Sequence, residues 1–234
     1  MLYLITICIL ITLYVFVIFM MNKFKNVRLT NAIFVATAFV TYVVYVAIVY
    51  SIVGAKSEYF YGVLPTANVS PFMLTILPII LFSPKSIRKY LFSLVAILSF
   101  GMLISPIYNS ISYATLHYPF SYLPVMDYVA HLTLSLWGIY LIRSRQVKLN
   151  IRDCIIGGII ILVVALVMLL LNLVFDTSFF GLSLKGKHNI YGNILVSSSY
   201  LSALIYFLGL TCALVIGYLY CKLLSDRHTD SSLL

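Results

Sequence analysis

Acidic residues are scarce in this chain. Only six Asp and Glu occur among 234 residues, and charged side chains of both signs make up 9% of the total. Ordinary soluble domains carry about 25% charged residues, and a soluble fold of this length would have to expose much of its apolar material. Cysteine is also sparse. Cys8, Cys154, Cys212 and Cys221 lie in or at the ends of apolar runs and form no CxxC pair. That argues against a disulfide framework or a zinc site and reads the thiols as small apolar fillers. What fills the chain is hydrocarbon: 63% of the residues are hydrophobic. A bilayer accommodates that composition, so the chain reads as an integral membrane protein, with the plasma membrane as the expected location. The formal net charge is +9, which in a soluble protein would suggest nucleic acid. Here the basic residues form short clusters between apolar runs, a pattern that sets topology and attracts anionic lipid. Nucleic acid is therefore not an expected partner; membrane lipids are, with a membrane protein partner as a further candidate.

A span needs about 20 apolar residues. Seven segments are candidates, at roughly 2–21, 31–54, 69–83, 90–107, 125–142, 154–175 and 193–221. The third is short and holds Pro71 and Pro78, so it reads as tilted, broken or re-entrant. The expected fold is all-α and polytopic: one seven-helix transmembrane domain over 1–222 and a disordered cytoplasmic tail over 223–234. Alternate loops hold Lys23, Lys25 and Arg28; Lys85, Arg88 and Lys89; Arg143, Arg145, Lys148 and Arg152; and Lys222 and Arg227. The opposite loops hold only Lys56, Lys185 and Lys187. Basic loops stay in the cytoplasm, which puts the N-terminus outside and the C-terminus inside. Removing the third segment would put neighbouring basic loops on opposite sides, so the partition supports an odd number of spans. The first span has basic residues after it and none before it, and reads as a retained anchor. The outer loops are longer and aromatic, and most of their Tyr and Phe are expected at the membrane interface.

Under this topology Glu58, His117, Asp127, His131, Asp176 and His188 fall in the outer half. The segment PVMDYVAHLTLSLWGIYLIRSR places Asp127 and His131 four residues apart, on one helical face, with Ser135 one turn further along the same stripe. Ionisable groups at that depth usually face the bundle interior or water. A carboxylate beside an imidazole fixes one tautomer, as a general base or a proton relay requires. The alternative is an interfacial Asp127 and a His131 that completes an internal hydrogen-bond network. His117, His131, His188 and Asp176 lack the spacing of a zinc motif, so neither metal nor cofactor is expected. Asn68 and Ser70 lie where Pro65 and Pro71 break the backbone; residues 64–71 are expected to be irregular and to line a cavity, since non-helical backbone at membrane depth needs protein or water around it. Asn172 and Asp176 close the sixth span.

The order of these motifs resembles the YwaF-type family of bacterial integral membrane proteins, related to a eukaryotic multispan family that includes a phospholipid acyltransferase. The resemblance rests on Leu64 and Pro65, then Pro106 and His131, then Asn172 and Thr177, over roughly residues 60–215. It implies a multispan fold and cysteine-dependent acyl transfer. The family's His-Leu-Cys falls here on Ala67-Asn68-Val69, so the nucleophilic cysteine and its neighbouring histidine are absent. The Gly and Asn-Tyr of the later motif become Asp176 and Ser178-Phe179.

Three functions compete. One is an outward-facing polar pocket that binds or handles a lipid or small amphiphile, lined by Asn68, Ser70, Asp127, His131, Ser135, Asn172 and Asp176. The second is the substrate-binding membrane subunit of a transporter, and the third an accessory or immunity protein that binds a membrane partner. An enzyme requires a water-accessible nucleophile near His131, and Ser70 and Ser135 are the nearby candidates. With the family's cysteine gone, binding is favoured over catalysis, with His131 and Asp127 as the catalytic pair if chemistry occurs.

Overall fold

A computed structural model describes residues 2–55, 60, 63–65, 69–115, 123–175, 180 and 199–230. Among these residues the chain is all-helical. Seven α-helices have bounds among the described residues: α1 (Leu2–Met20), α2 (Val27–Val53), α3 (Val69–Phe82), α4 (Lys85–Thr115), α5 (Leu123–Arg143), α6 (Ile151–Phe175) and α7 (Ser199–Asp230), with a 3-10 turn at Met21–Lys23. Five stretches are long and apolar enough to cross a membrane: Val27–Val53, Lys85–Ile104, Val125–Arg143, Ile151–Phe175 and Leu204–Leu224. Cys8–Lys23 and Val69–Phe82 are apolar but shorter. The 14 residues of α3 reach about 21 Å at 1.5 Å per residue, less than the roughly 30 Å hydrocarbon core. This is the architecture of a multi-pass membrane protein.

The helix limits have local causes. Asn26 caps α2: its side chain accepts from the Leu29 N–H at 3.1 Å. Gly54, at φ 74°, ends α2, and its N–H bonds to the Tyr50 carbonyl at 2.9 Å. The α5–α6 turn is a Schellman closure. The Gln146 N–H reaches the Leu141 carbonyl at 3.0 Å and the Arg145 N–H reaches that of Ile142 at 3.0 Å, with Arg145 left-handed at φ 57°. One expectation needs correction. Ser70 and Pro71 belong to the first turn of α3, because a proline this close to a helix start forfeits no intrahelical bond. Leu64 and Pro65 are non-helical, as expected, while 66–68 lie outside the described residues. Helix α7 continues to Asp230, beyond the apolar span Leu204–Leu224 and into the segment expected as the tail.

Helix α5 is the hub. It packs on α1, α2, α3, α4 and α7, and 78% of an apolar 18-residue stretch within Val125–Arg143 is buried, against 28% of such a stretch within Ile151–Phe175 and 17% within Leu204–Leu224. It is also the least apolar of the five spans, and α6 the most. A helix wrapped in protein can hold polar groups where a lipid-facing one cannot. Trp137 is fully buried on α5, edge-on to Phe92 of α4. Small residues let the helices close up. A Cβ on Gly138 would lie 2.6 Å from Ser99 Cβ and 2.9 Å from the Val95 carbonyl oxygen of α4. A Cβ on Gly217 of α7 would collide with the Ile97 carbonyl.

At one end of the bundle the α1–α2 and α5–α6 turns are tied together. The Arg143 guanidinium donates to the Ile18 carbonyl at 2.5 Å, and Asn31 donates to Gln146 at 2.6 Å. The Trp137 indole N–H donates to Asn31 Oδ1 at 3.0 Å. Gly157 of α6 lies against Tyr90 of α4, so the basic α3–α4 turn belongs to the same end. Three basic clusters therefore gather at one end, and the opposite end is where the polar group of α5 lies.

Candidate functional site

The site is built where α3, α4 and α5 meet. The chain reaches it through two fixed points. Tyr42 of α2 donates its phenol hydrogen to the Val63 carbonyl at 2.8 Å. Val63 is buried with Tyr45 and Val49, and Met126 of α5 packs on the same cluster. These contacts hold the chain ahead of α3 against the first turn of α5. On the other flank, Val69 and Phe72 of α3 pack against Ala165 and Phe180, with Phe72 edge-on to Phe180 at 5.8 Å.

His131 lies at the centre, about 12 Å along α5 from Leu123 at 1.5 Å per residue, and is 3% exposed. Its Nδ1 is 3.2 Å from Asp127 Oδ1 and 2.8 Å from the Asp127 carbonyl oxygen. Its Nε2 is hydrogen-bonded to the Ser70 hydroxyl. Both partners of Nδ1 are acceptors, so Nδ1 carries the proton in the neutral ring and Nε2 is left to accept from Ser70. Ser70 Oγ also lies 3.1 Å from Met102 Sδ of α4. Ser70 and Asp127 are half-buried, and Tyr128 just beyond them is fully buried. The group thus begins at a partly open helix end and closes at His131.

One turn deeper the stripe changes character. Ser135 is fully buried. Its hydroxyl donates to the Ser99 carbonyl at 2.6 Å and accepts from the Tyr14 phenol at 2.9 Å. The Tyr14 phenol must be the donor, because the Ser135 proton is already committed to a carbonyl. Ser135 therefore ties α1, α4 and α5 together beneath His131. Asn172 is buried on α6, two turns along from Ala165. Asn68 and Asp176, expected at the same site, lie outside the described residues. Among the described residues no group of three or more His, Cys, Asp or Glu could hold a metal ion. The sequence reading missed the Trp137–Asn31–Gln146 network. Its available signal was Asn31, a polar residue opening an apolar run directly after a basic cluster.

This arrangement can do two things. It can present a hydroxyl, an imidazole and a carboxylate to a polar headgroup. It can also move a proton from Ser70 to His131 while Asp127 stabilises the resulting imidazolium. Comparison with protein-family models, with curated proteins and with solved structures returns no match.

Proposed function

We propose that the chain is a seven-span membrane protein of the plasma membrane, N-terminus outside, whose outward end holds a polar site for a lipid or small amphiphile. His131 is the centre of that site, with Asp127 and Ser70 beside it. Asn68, Asn172 and Asp176 are proposed to line its rim. The observation that carries the reading is the pairing of both His131 ring nitrogens, to Asp127 and to Ser70, on the most enclosed helix. Polar groups are costly at membrane depth and are retained there mainly for function. The site sits at the end opposite the basic turns, which the positive-inside rule assigns to the outer face. The resemblance to the YwaF-type family, with a histidine at the same place in the motif order, supports the same reading.

The test uses the full chain in nanodiscs containing a phosphatidylglycerol with a photoactivatable diazirine near its headgroup. Cross-links should concentrate on residues 63–72 and 125–131. In His131→Leu that cross-linking should fall at least fivefold, while annular cross-links on α6 persist. Uniform annular labelling of the wild-type chain would refute the reading.

A further inference from the structure

We infer that Ser70 is a nucleophile, activated by His131 and Asp127, that cleaves a carboxylic ester of an acylated amphiphile. The inference rests on the reading that the outer end admits such a molecule. It adds a bond-making role that the sequence alone did not favour.

The geometry has the parts that serine acyl chemistry needs. The Ser70 hydroxyl faces His131 Nε2, and Asp127 holds Nδ1 on the far side of the ring. The nucleophile, the base and the orienting acid come from different helices, α3 and α5, and meet across 61 residues of sequence for the Ser70–His131 contact. Such a constellation is recognised by geometry and roles and not by chain order. The tautomer that leaves Nε2 basic is fixed twice, by the Asp127 carboxylate and by the Asp127 carbonyl. Ser70 is the second residue of α3, at the N-terminal end of that helix. The positive end of the helix favours negative charge there, as an oxyanion requires. The neighbours suit an acyl chain: Met102 touches Ser70, and Val69 and Phe72 face an apolar cluster. Ser70 itself is half-buried and so can be reached.

The step balances as follows. Ser70 Oγ attacks the ester carbonyl carbon while its proton moves to His131 Nε2. The tetrahedral intermediate collapses, the ester C–O bond breaks, and Nε2 returns the proton to the departing alcohol. Water then attacks the acyl-Ser70 ester, its proton passing through Nε2 back to Ser70 as the fatty acid leaves. Asp127 touches the ring and not the substrate, so it is a positioning residue.

The experiment treats the full chain in nanodiscs with a long-alkyl fluorophosphonate. Ser70 would displace fluoride and become phosphonylated. Mass spectrometry should find the adduct on Ser70, at up to one per chain, and Ser70→Ala should abolish it. In His131→Ala, labelling should slow at least 100-fold, with thermal unfolding confirming that the protein is folded. Asp127→Asn should slow it less than His131→Ala, because the Asp127 carbonyl still fixes the tautomer, and Asp127→Glu should recover part of the rate. Failure of folded wild-type Ser70 to label, or equal labelling rates in wild type and His131→Ala, overturns the proposal. The lipid cross-linking described above separates the two readings. Site-specific cross-links without Ser70 phosphonylation leave a binding site and remove the nucleophile; absence of both removes the site.

Discussion

Replacing Gly138 by alanine adds one methyl group at a close contact between α4 and α5. The new Cβ would lie 2.6 Å from Ser99 Cβ, 2.9 Å from the Val95 carbonyl oxygen and 3.3 Å from Ala96 Cα. Carbon pairs settle at about 3.5–4.0 Å, so the helices must part by about 1 Å. Two of the three atoms are backbone, and no rotamer change moves them. Overpacking of this kind costs about 1–3 kcal/mol. The same separation pulls on the hydrogen bond from Ser135 to the Ser99 carbonyl, 2.6 Å long, which adds about 1 kcal/mol. The expected loss is about 2–4 kcal/mol, or about 4–16 °C in melting temperature for a chain of this size. The assay is thermal unfolding in detergent, with Gly101→Ala as the control. Nothing lies within 4 Å of a Cβ at Gly101, so that change should be neutral or stabilising by up to about 1 kcal/mol through helix propensity. Gly138→Ala/Ser99→Gly should recover part of the loss by deleting the nearest atom. If Gly138→Ala is as stable as Gly101→Ala, the close α4–α5 packing described above is wrong.

Asn31→Ala should destabilise by about 1–3 kcal/mol in the same assay, because it leaves the buried Trp137 indole N–H without its acceptor; Trp137 fluorescence should change with it. Arg145→Gly should stabilise by about 1 kcal/mol, since Arg145 holds a left-handed conformation that glycine adopts without a Cβ penalty; an unchanged or lower midpoint would contradict the closure of the α5–α6 turn. For orientation, Asn109→Cys should react with an impermeant maleimide added outside intact cells and Ser144→Cys should not. Labelling of Ser144→Cys from outside would invert the topology.

The all-helical type and the five longest spans among the described residues were legible because those runs are long and apolar. Boundaries were less so. The expected start of α2 at 31 fell four residues late because the apolar run begins there, whereas the helix begins where Asn26 caps it. The run expected at 90–107 belongs to a helix spanning Lys85–Thr115, since hydropathy reads the hydrocarbon depth while backbone hydrogen bonding continues beyond it. Asp127 and His131 were readable as a pair because i, i+4 spacing is local. The Ser70–His131 bond was not, since it depends on how α3 leans on α5; sequence named Ser70 only as one of two nearby hydroxyls. It could not separate Ser70 from Ser135 either. Ser135 shares the His131 stripe, yet its neighbours are Tyr14 and Ser99, contributed by two other helices.

The central claim is that the Ser70–His131–Asp127 group receives an amphiphile at the outer end of the bundle. A density map of the chain purified with native lipid, in nanodiscs, tests it most directly. The account predicts a lipid-shaped feature with a polar group within about 3.5 Å of Ser70 Oγ or His131 Nε2, the reach of a hydrogen bond, and an apolar tail passing Met102 and Phe72. Lipid density confined to the outer faces of α6 and α7, with α3 closed against α5 over His131, would contradict it.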